Sequence, residues 1–335
     1  MKKKIIFGLL LALLVTGVST AQEVVKIGMI GLDTSHSTSF TKFLNSDDKD
    51  ERFNGFRIVA AYPHGSRTIK SSYDRIPGYT EQVKALGVKI VDSIGELLEQ
   101  VDVVLLETND GNMHLEQAYE VFKAGKTVFI DKPLGASLAQ SIAVMELARK
   151  YDVPVFSASS LRYSSQIQKI RKGEYGKVRG ADCYSPHHPE PSHPDFGWYG
   201  IHGVEMLYTV MGTGCVAVNR MAADSTDVVV GRWDDGRIGT FRGYQQGRSV
   251  YGGTAFTDKG VIPVGEYEGY GPLLEEILAF FKSGVSPVSA EETLEIFTFM
   301  EASNESVRHG GKIVSLAETR KRGEREAQNL LRKLK

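Results

Sequence analysis

The chain has 335 residues, with 40 lysines and arginines against 41 aspartates and glutamates, for a formal net charge of −1 at pH 7. A content of 41% hydrophobic and 24% charged residues is that of a globular protein with room for two domains. So balanced a charge sets up no global field to recruit nucleic acid or an anionic membrane, and the basic residues from Lys321 to Lys335 read as a solvated helix face.

At the N-terminus, Lys2, Lys3 and Lys4 precede an apolar run from Ile5 to Val18, and Ser19, Thr20 and Ala21 are small. This pattern predicts a secretory signal peptide over residues 1–21, cleavage before Gln22, and an exported, periplasmic protein with no membrane contact after cleavage. The run is shorter than the ~20 residues of a spanning helix. Two scattered cysteines, Cys183 and Cys215, carry little information in a chain of this size and are expected as buried thiols.

Val24 to Gly31 is an apolar run ending in glycine, suited to a parallel strand buried on both faces, and a helix is expected from Ser37 to Leu44. FRIVAAY (56–62) follows as a strand, then GVKIVDS, a short amphipathic ELLEQ, VDVVLLET, a helix over 113–124 and TVFIDKP. A helix over 138–151 and the strand VPVFSAS close a first domain, 22–160. Strands alternating with helices of these lengths specify βαβ units and a doubly wound sheet. From 161 to 317 the pattern changes to extended runs split by glycines, with a hairpin signal at Asp235-Gly236 and helices over 199–211 and 273–282. A helix after Ala290 and a charged helix or tail, 318–335, end the chain. The fold class expected is an α/β Rossmann domain plus an α+β domain with an open, mainly antiparallel sheet.

Three stretches carry the chemistry: IGMIGLDTSH (27–36), an apolar strand breaking at a glycine ahead of a helix, and TNDGNMH (108–114) and GKTVFIDKPLGAS (125–137), each following a buried strand. Together they resemble the Gfo/Idh/MocA oxidoreductases, the glucose–fructose oxidoreductase and inositol dehydrogenase family. That family's third motif reads G-K-x-V-x-x-E-K-P; here Gly125, Lys126, Val128, Lys132 and Pro133 match and Asp131 replaces the glutamate. The resemblance implies a sugar-like substrate between two domains, with Lys132 handling the proton of the reacting hydroxyl while hydride moves to nicotinamide. In the second proton-handling motif, D-x-G-x-H-x-x-D, His202 matches, Glu205 replaces the last aspartate and Trp198 stands where the first carboxylate belongs. Lys132 and His202 are thus the expected catalytic pair. Arg162, Tyr163, Trp198, Tyr199 and Glu205 are expected at the substrate, and Thr108, Asn109, His114 and Asp131 at the cofactor. An oligomer of identical chains is expected by resemblance.

The first motif departs from the dinucleotide fingerprint G-x-G-x-x-G. Gly31 keeps the turn, but Asp33 puts a carboxylate where phosphate normally approaches, or else caps the helix or pairs with His36. Thr34, Ser35 and His36 offer donors instead. After the second strand, Ser66 and Arg67 replace the usual acid, which favours NADP over NAD. His187, His188, His193 and His202, with Asp195 and Glu205, lack a metal-ligand spacing and read as a substrate loop, so no metal is expected. The leading expectation is an NAD(P)-dependent oxidoreductase acting on a sugar, glycoside or cyclitol, its cofactor held tightly and recycled. The alternative is a cofactor-free carbohydrate-binding or scaffold protein.

Overall fold

The computed structural model describes residues 24–334, so the signal-peptide segment lies outside the described residues. The first half of the chain forms strands β1 (Val25–Ile30), β2 (Phe56–Tyr62), β3 (Lys89–Ile90), β4 (Val103–Leu106), β5 (Val128–Ile130) and β6 (Val155–Phe156). They make a six-stranded sheet in the order β3-β2-β1-β4-β5-β6, with every pairing parallel. All four residues of β4 are buried, as a strand covered by helices on both faces requires. Those helices are α1 (Ser35–Asn45), α2 (Lys70–Tyr73), α3 (Ile76–Ala85), α4 (Ile94–Leu98), α5 (Gly111–Lys123) and α6 (Leu138–Tyr151). The order of connection reverses between β1 and β4, which opens a crevice at the carboxyl ends of these two strands.

The second half begins with α7 (Ser165–Arg171), β7 (Val178–Pro186) and α8 (Gly200–Met211), then β8 (Cys215–Ala223), β9 (Thr226–Trp233), β10 (Ile238–Tyr244), β11 (Gly252–Thr257) and β12 (Gly260–Val264). It ends with α9 (Gly271–Ser283), α10 (Ala290–Arg308), β13 (Val314–Ser315) and α11 (Leu316–Lys333). The second sheet has seven strands in the order β12-β11-β7-β10-β9-β8-β13. Its pairs are antiparallel except β7 with β10. The expected hairpin joins β9 to β10, and Gly236 takes the positive φ of 86° that the turn needs. Both cysteines are buried and free, as expected.

Two late helices return to the first sheet. Leu273, Leu274, Ile277 and Phe280 of α9 share a core with Phe129 and Phe156, and the rings of Phe156 and Phe280 meet edge-on at 4.8 Å. The tail is a helix, but it is not solvated all round. Leu316, Thr319, Gly323 and Ala327 form a buried stripe at helical spacing, seated on α6. The many charges of this segment conceal the stripe, because two of its four members are threonine and glycine. A Cβ on Gly323 would lie 2.7 Å from Leu138 Cδ2, so the close approach of α11 to α6 depends on glycine. Gly323→Leu should therefore cost about 1–3 kcal/mol through overpacking, read as a lower denaturant midpoint at unchanged slope. Unaltered stability would show that α11 is not seated on α6.

Candidate active site

Above β1 the chain turns at Gly31, whose φ is 88°. A Cβ there would lie 2.5 Å from Thr108 Oγ1 and 2.6 Å from Thr108 N, so only glycine lets this turn rest on the end of β4. Asp33 then points inward, fully buried. Its Oδ2 accepts the Ser66 N–H at 2.8 Å and its Oδ1 the Asn109 N–H at 2.9 Å. Asp33 therefore neither caps α1, whose N-cap is Thr34, nor pairs with His36. It ties the loop after β2 and the loop after β4 to the turn after β1. Burial outweighs these hydrogen bonds and pushes its pKa up to about 6.

His36 finds other carboxylates. Its Nδ1 is 3.0 Å from Glu107 Oε2 and 3.4 Å from Asp131 Oδ1, all three side chains being buried. Asp131 also accepts the Lys132 backbone N–H at 2.8 Å, which anchors the residue that carries the lysine. Lys132 opens into a cleft between the two halves, together with Thr34, Ser35, His36, Asn109, Trp198, Tyr199 and His202. Arg75, Tyr251, Tyr267 and Tyr270 complete its walls. His202 Nδ1 lies 2.6 Å from Ser159 Oγ. Burial first, then repulsion from Lys132 and His36, holds His202 well below the ordinary histidine range, so it is neutral at pH 7.

Several expected site residues lie elsewhere. Arg162 is buried and bonded to Glu205 Oε1 at 2.7 Å and Glu292 Oε1 at 2.6 Å, with Arg171 on the same Glu292. Glu205 also accepts the Ser159 N–H at 2.8 Å, so it supports the serine that touches His202 and does not face the cleft. Tyr163 is packed in the core around Phe129 and Phe156. His114 is fully buried between two loops, with Nδ1 2.9 Å from the Pro133 carbonyl oxygen and Nε2 2.7 Å from that of Thr108, and it does not line the cleft. The proline-rich histidines disperse: His187 lies near Asp227, and His193 accepts the Gly111 N–H. Sequence reasoning missed Glu107, Arg75 and the tyrosines at 251, 267 and 270. Glu107 left one signal, a carboxylate directly after a fully apolar buried strand.

Ser66 and Arg67 line a second cleft at the end of β2, with Tyr62, His64, Glu116 and Glu120. Asp33 stands between the clefts, since it bonds Ser66 on the wall of one and Asn109 on the wall of the other. Arg67 is exposed, and its guanidinium lies 3.6 Å from Glu116.

Residues 25–159 match the family model GFO_IDH_MocA, described as an oxidoreductase family with an NAD-binding Rossmann fold. The first domain belongs to the Gfo/Idh/MocA oxidoreductases. Among curated proteins, the chain is 28% identical over 198 residues to the myo-inositol 2-dehydrogenase of Thermotoga maritima, a match covering 51% of this chain and 58% of that protein. A crystal structure of a probable dehydrogenase from Thermotoga maritima superposes with a TM-score of 0.70 at 24% identity, covering 88% of this chain and all of that one. The scyllo-inositol dehydrogenase of Lactobacillus casei, solved with NAD(H) and scyllo-inositol, gives 0.68 at 14% identity over 88% of this chain and 100% of its own. At these identities the structural likeness speaks to the fold, and it extends over both halves of the chain.

The turn suits a nucleotide of the kind this family binds, although Asp33 and His36 stand at two of its three fingerprint glycines. Thr34 Oγ1 and Thr108 Oγ1 are both buried without a hydrogen-bond partner, one at the start of α1 and the other against Gly31. The orphaned Thr34 hydroxyl, at the start of α1 and on the cleft wall, matches an oxygen of a phosphate. Removing Asp33 should instead damage the fold. Asp33→Ala leaves two buried N–H groups unpaired, at about 1–3 kcal/mol each. The pH dependence has a definite sign. With a folded pKa near 6 against 3.8 for the free group, the contribution of Asp33 is complete below 3.8 and is lost as pH rises through about 6. The difference between the urea midpoints of the wild type and Asp33→Asn, measured from pH 4 to 7, should carry this slope. Parallel curves would place the titration elsewhere.

Proposed function

We propose that the protein is an NAD-linked oxidoreductase acting on a ring hydroxyl or ketone of a sugar or cyclitol, bound in the cleft between the two halves. The observation that carries this reading is Lys132. It stands just beyond β5, and its ammonium lines the cleft with no ion pair among the described residues. Trp198, Tyr199, Tyr251, Tyr267 and Tyr270 give the cleft aromatic faces and hydroxyl edges, which suit a ring apolar on its C–H faces and polar at its rim. The inositol dehydrogenases among its relatives support a polyhydroxylated substrate.

Thr34, Ser35 and Asn109 would hold the phosphates and nicotinamide end, and the second cleft the adenosine end. When bound, the nicotinamide supplies the hydride acceptor or donor. Lys132 hydrogen-bonds the reacting oxygen and carries its proton. His202, kept neutral and positioned by Ser159, donates to or accepts from a neighbouring hydroxyl of the ring. We favour NAD over NADP, contrary to the expectation drawn from Arg67. Glu116 lies 3.6 Å from that guanidinium, and Glu120 adds further negative charge to the same cleft, which opposes a 2′-phosphate. Export and a tightly held, recycled nucleotide belong to the same proposal, as does an oligomer formed on the open face of the second sheet, where Tyr184, Ile238 and Phe256 are exposed.

Absorbance at 340 nm with NAD+ and myo-inositol tests the reading. Lys132→Ala should reduce turnover by about 10²–10⁴-fold with nucleotide binding preserved, and Arg67→Ala should leave NAD affinity unchanged. If calorimetry detects no nucleotide binding at millimolar concentration, the cofactor-free carbohydrate-binding reading replaces this one.

A further inference from the structure

Oxidation of a ring hydroxyl leaves a ketone, and the carbons beside a ketone carry acidic hydrogens. The cleft contains a group arranged for such a hydrogen that hydride transfer does not use. His36 is the second residue of α1, its ring tilted against Phe40 at 5.0 Å and edge-on to Tyr270 at 4.4 Å. Both packing partners restrict how the ring can turn. Its Nδ1 faces Glu107 and Asp131, which leaves Nε2 as the ring nitrogen available to the cleft that His36 lines. A histidine buried for packing alone needs one acceptor for its N–H. Here two buried carboxylates surround one nitrogen, and Glu107 Oε1 has no hydrogen-bond partner.

We propose that His36, oriented by Glu107 and Asp131, is a second proton-transfer group of this cleft, taking the hydrogen from the carbon beside a ring ketone held at Lys132. The inference rests on the reading of the cleft as a sugar or cyclitol site. Nε2 accepts the proton, and the C–H electron pair forms the carbon–carbon double bond of an enediolate. The former carbonyl oxygen takes the negative charge beside the Lys132 ammonium. Return of a proton from Nε2 to carbon regenerates the ketone, with no net oxidation or reduction and with the hydrogen exchanged against solvent. Return of the proton from Nε2 to the former carbonyl carbon, with the neighbouring hydroxyl proton passing to the former carbonyl oxygen, would make the same step a ketone shift.

The groups facing His36 are Glu107, Asp131 and Lys132, with His202 across the cleft and Tyr270 on the ring edge. Burial alone would lower the imidazole pKa. The charge of Asp131 and the hydrogen bond and charge of Glu107 outweigh burial and raise it, while Lys132 opposes them. The basic form therefore accumulates only above the ordinary histidine range, and exchange should rise with pH to a plateau. Removing one carboxylate should move that rise to lower pH.

The experiment follows 2-keto-myo-inositol in D₂O by proton NMR, with the full-length protein and no nucleotide. The wild type should exchange the hydrogens beside the ketone faster than buffer does. His36→Asn should slow exchange by about 10²–10⁴-fold, and Glu107→Gln should retain it with the midpoint shifted to lower pH. Since His36→Asn alters a buried cluster, its melting curve is recorded beside the wild type, and the Glu107→Gln midpoint tests the assignment independently. A ketone that binds by calorimetry but exchanges equally in wild type and His36→Asn overturns the role of His36 alone. Absence of binding overturns the reading of the cleft and the inference with it. Exchange abolished by EDTA and restored by Zn²⁺ also overturns it, because the three side chains would then ligate a cation, as their mutual approach within 4.8 Å permits.

Discussion

A single buried carboxylate organises the carboxyl edge of the first sheet. Asp33 accepts N–H groups from the loops after β2 and β4, so three segments distant in sequence are fixed around the turn after β1. Gly65 belongs to the same arrangement, since a Cβ there would lie 2.2 Å from the Asp33 carboxylate. The consequence is a cleft wall set by hydrogen bonds between loops, where the family pattern would have bare glycine backbone. Thr34, His36 and Asn109 owe their places on that wall to this tie, and so does the separation of the two clefts.

The opposite wall depends on a second buried network. Arg162 joins Glu205 of α8 to Glu292 of α10, and Glu205 in turn holds the Ser159 N–H. Removing one member of such a set leaves an uncompensated buried charge, so its geometry is steep around the native arrangement. Ser159 then fixes His202, which is how an ion pair outside the cleft determines a side chain inside it. Lys132, attached through Asp131 to the His36 and Glu107 cluster, faces His202 across this frame. Titratable groups lining the cleft thus come from both halves of the chain, and neither half alone encloses it.

The alternation of strands and helices, the hairpin at Asp235-Gly236 and the switch to an antiparallel sheet were legible because each depends on local periodicity and turn chemistry. Lys132, His202, Trp198 and Tyr199 were legible from motif position, and all four line one cleft. Arg162 and Glu205 were misread because their partner, Glu292, is 130 positions from Arg162 in sequence and nothing local announces the pairing. Asp33 was read as an obstacle to phosphate because sequence does not tell which way a carboxylate points. Its inward turn became visible only with the Ser66 and Asn109 amides in place. Glu107 was overlooked for a related reason, since a charge at a strand end gains meaning only when His36 is brought against it.

A crystal structure of the protein with NAD⁺ and myo-inositol tests the central claim most directly, because it reports ligand positions independently of turnover. The account predicts the inositol ring between Trp198 and the tyrosines, with a ring oxygen at about 2.7–3.2 Å from Lys132 Nζ and the nucleotide along the carboxyl ends of β1 and β4. Inositol bound outside this cleft, or a nucleotide seated away from that edge, would contradict it.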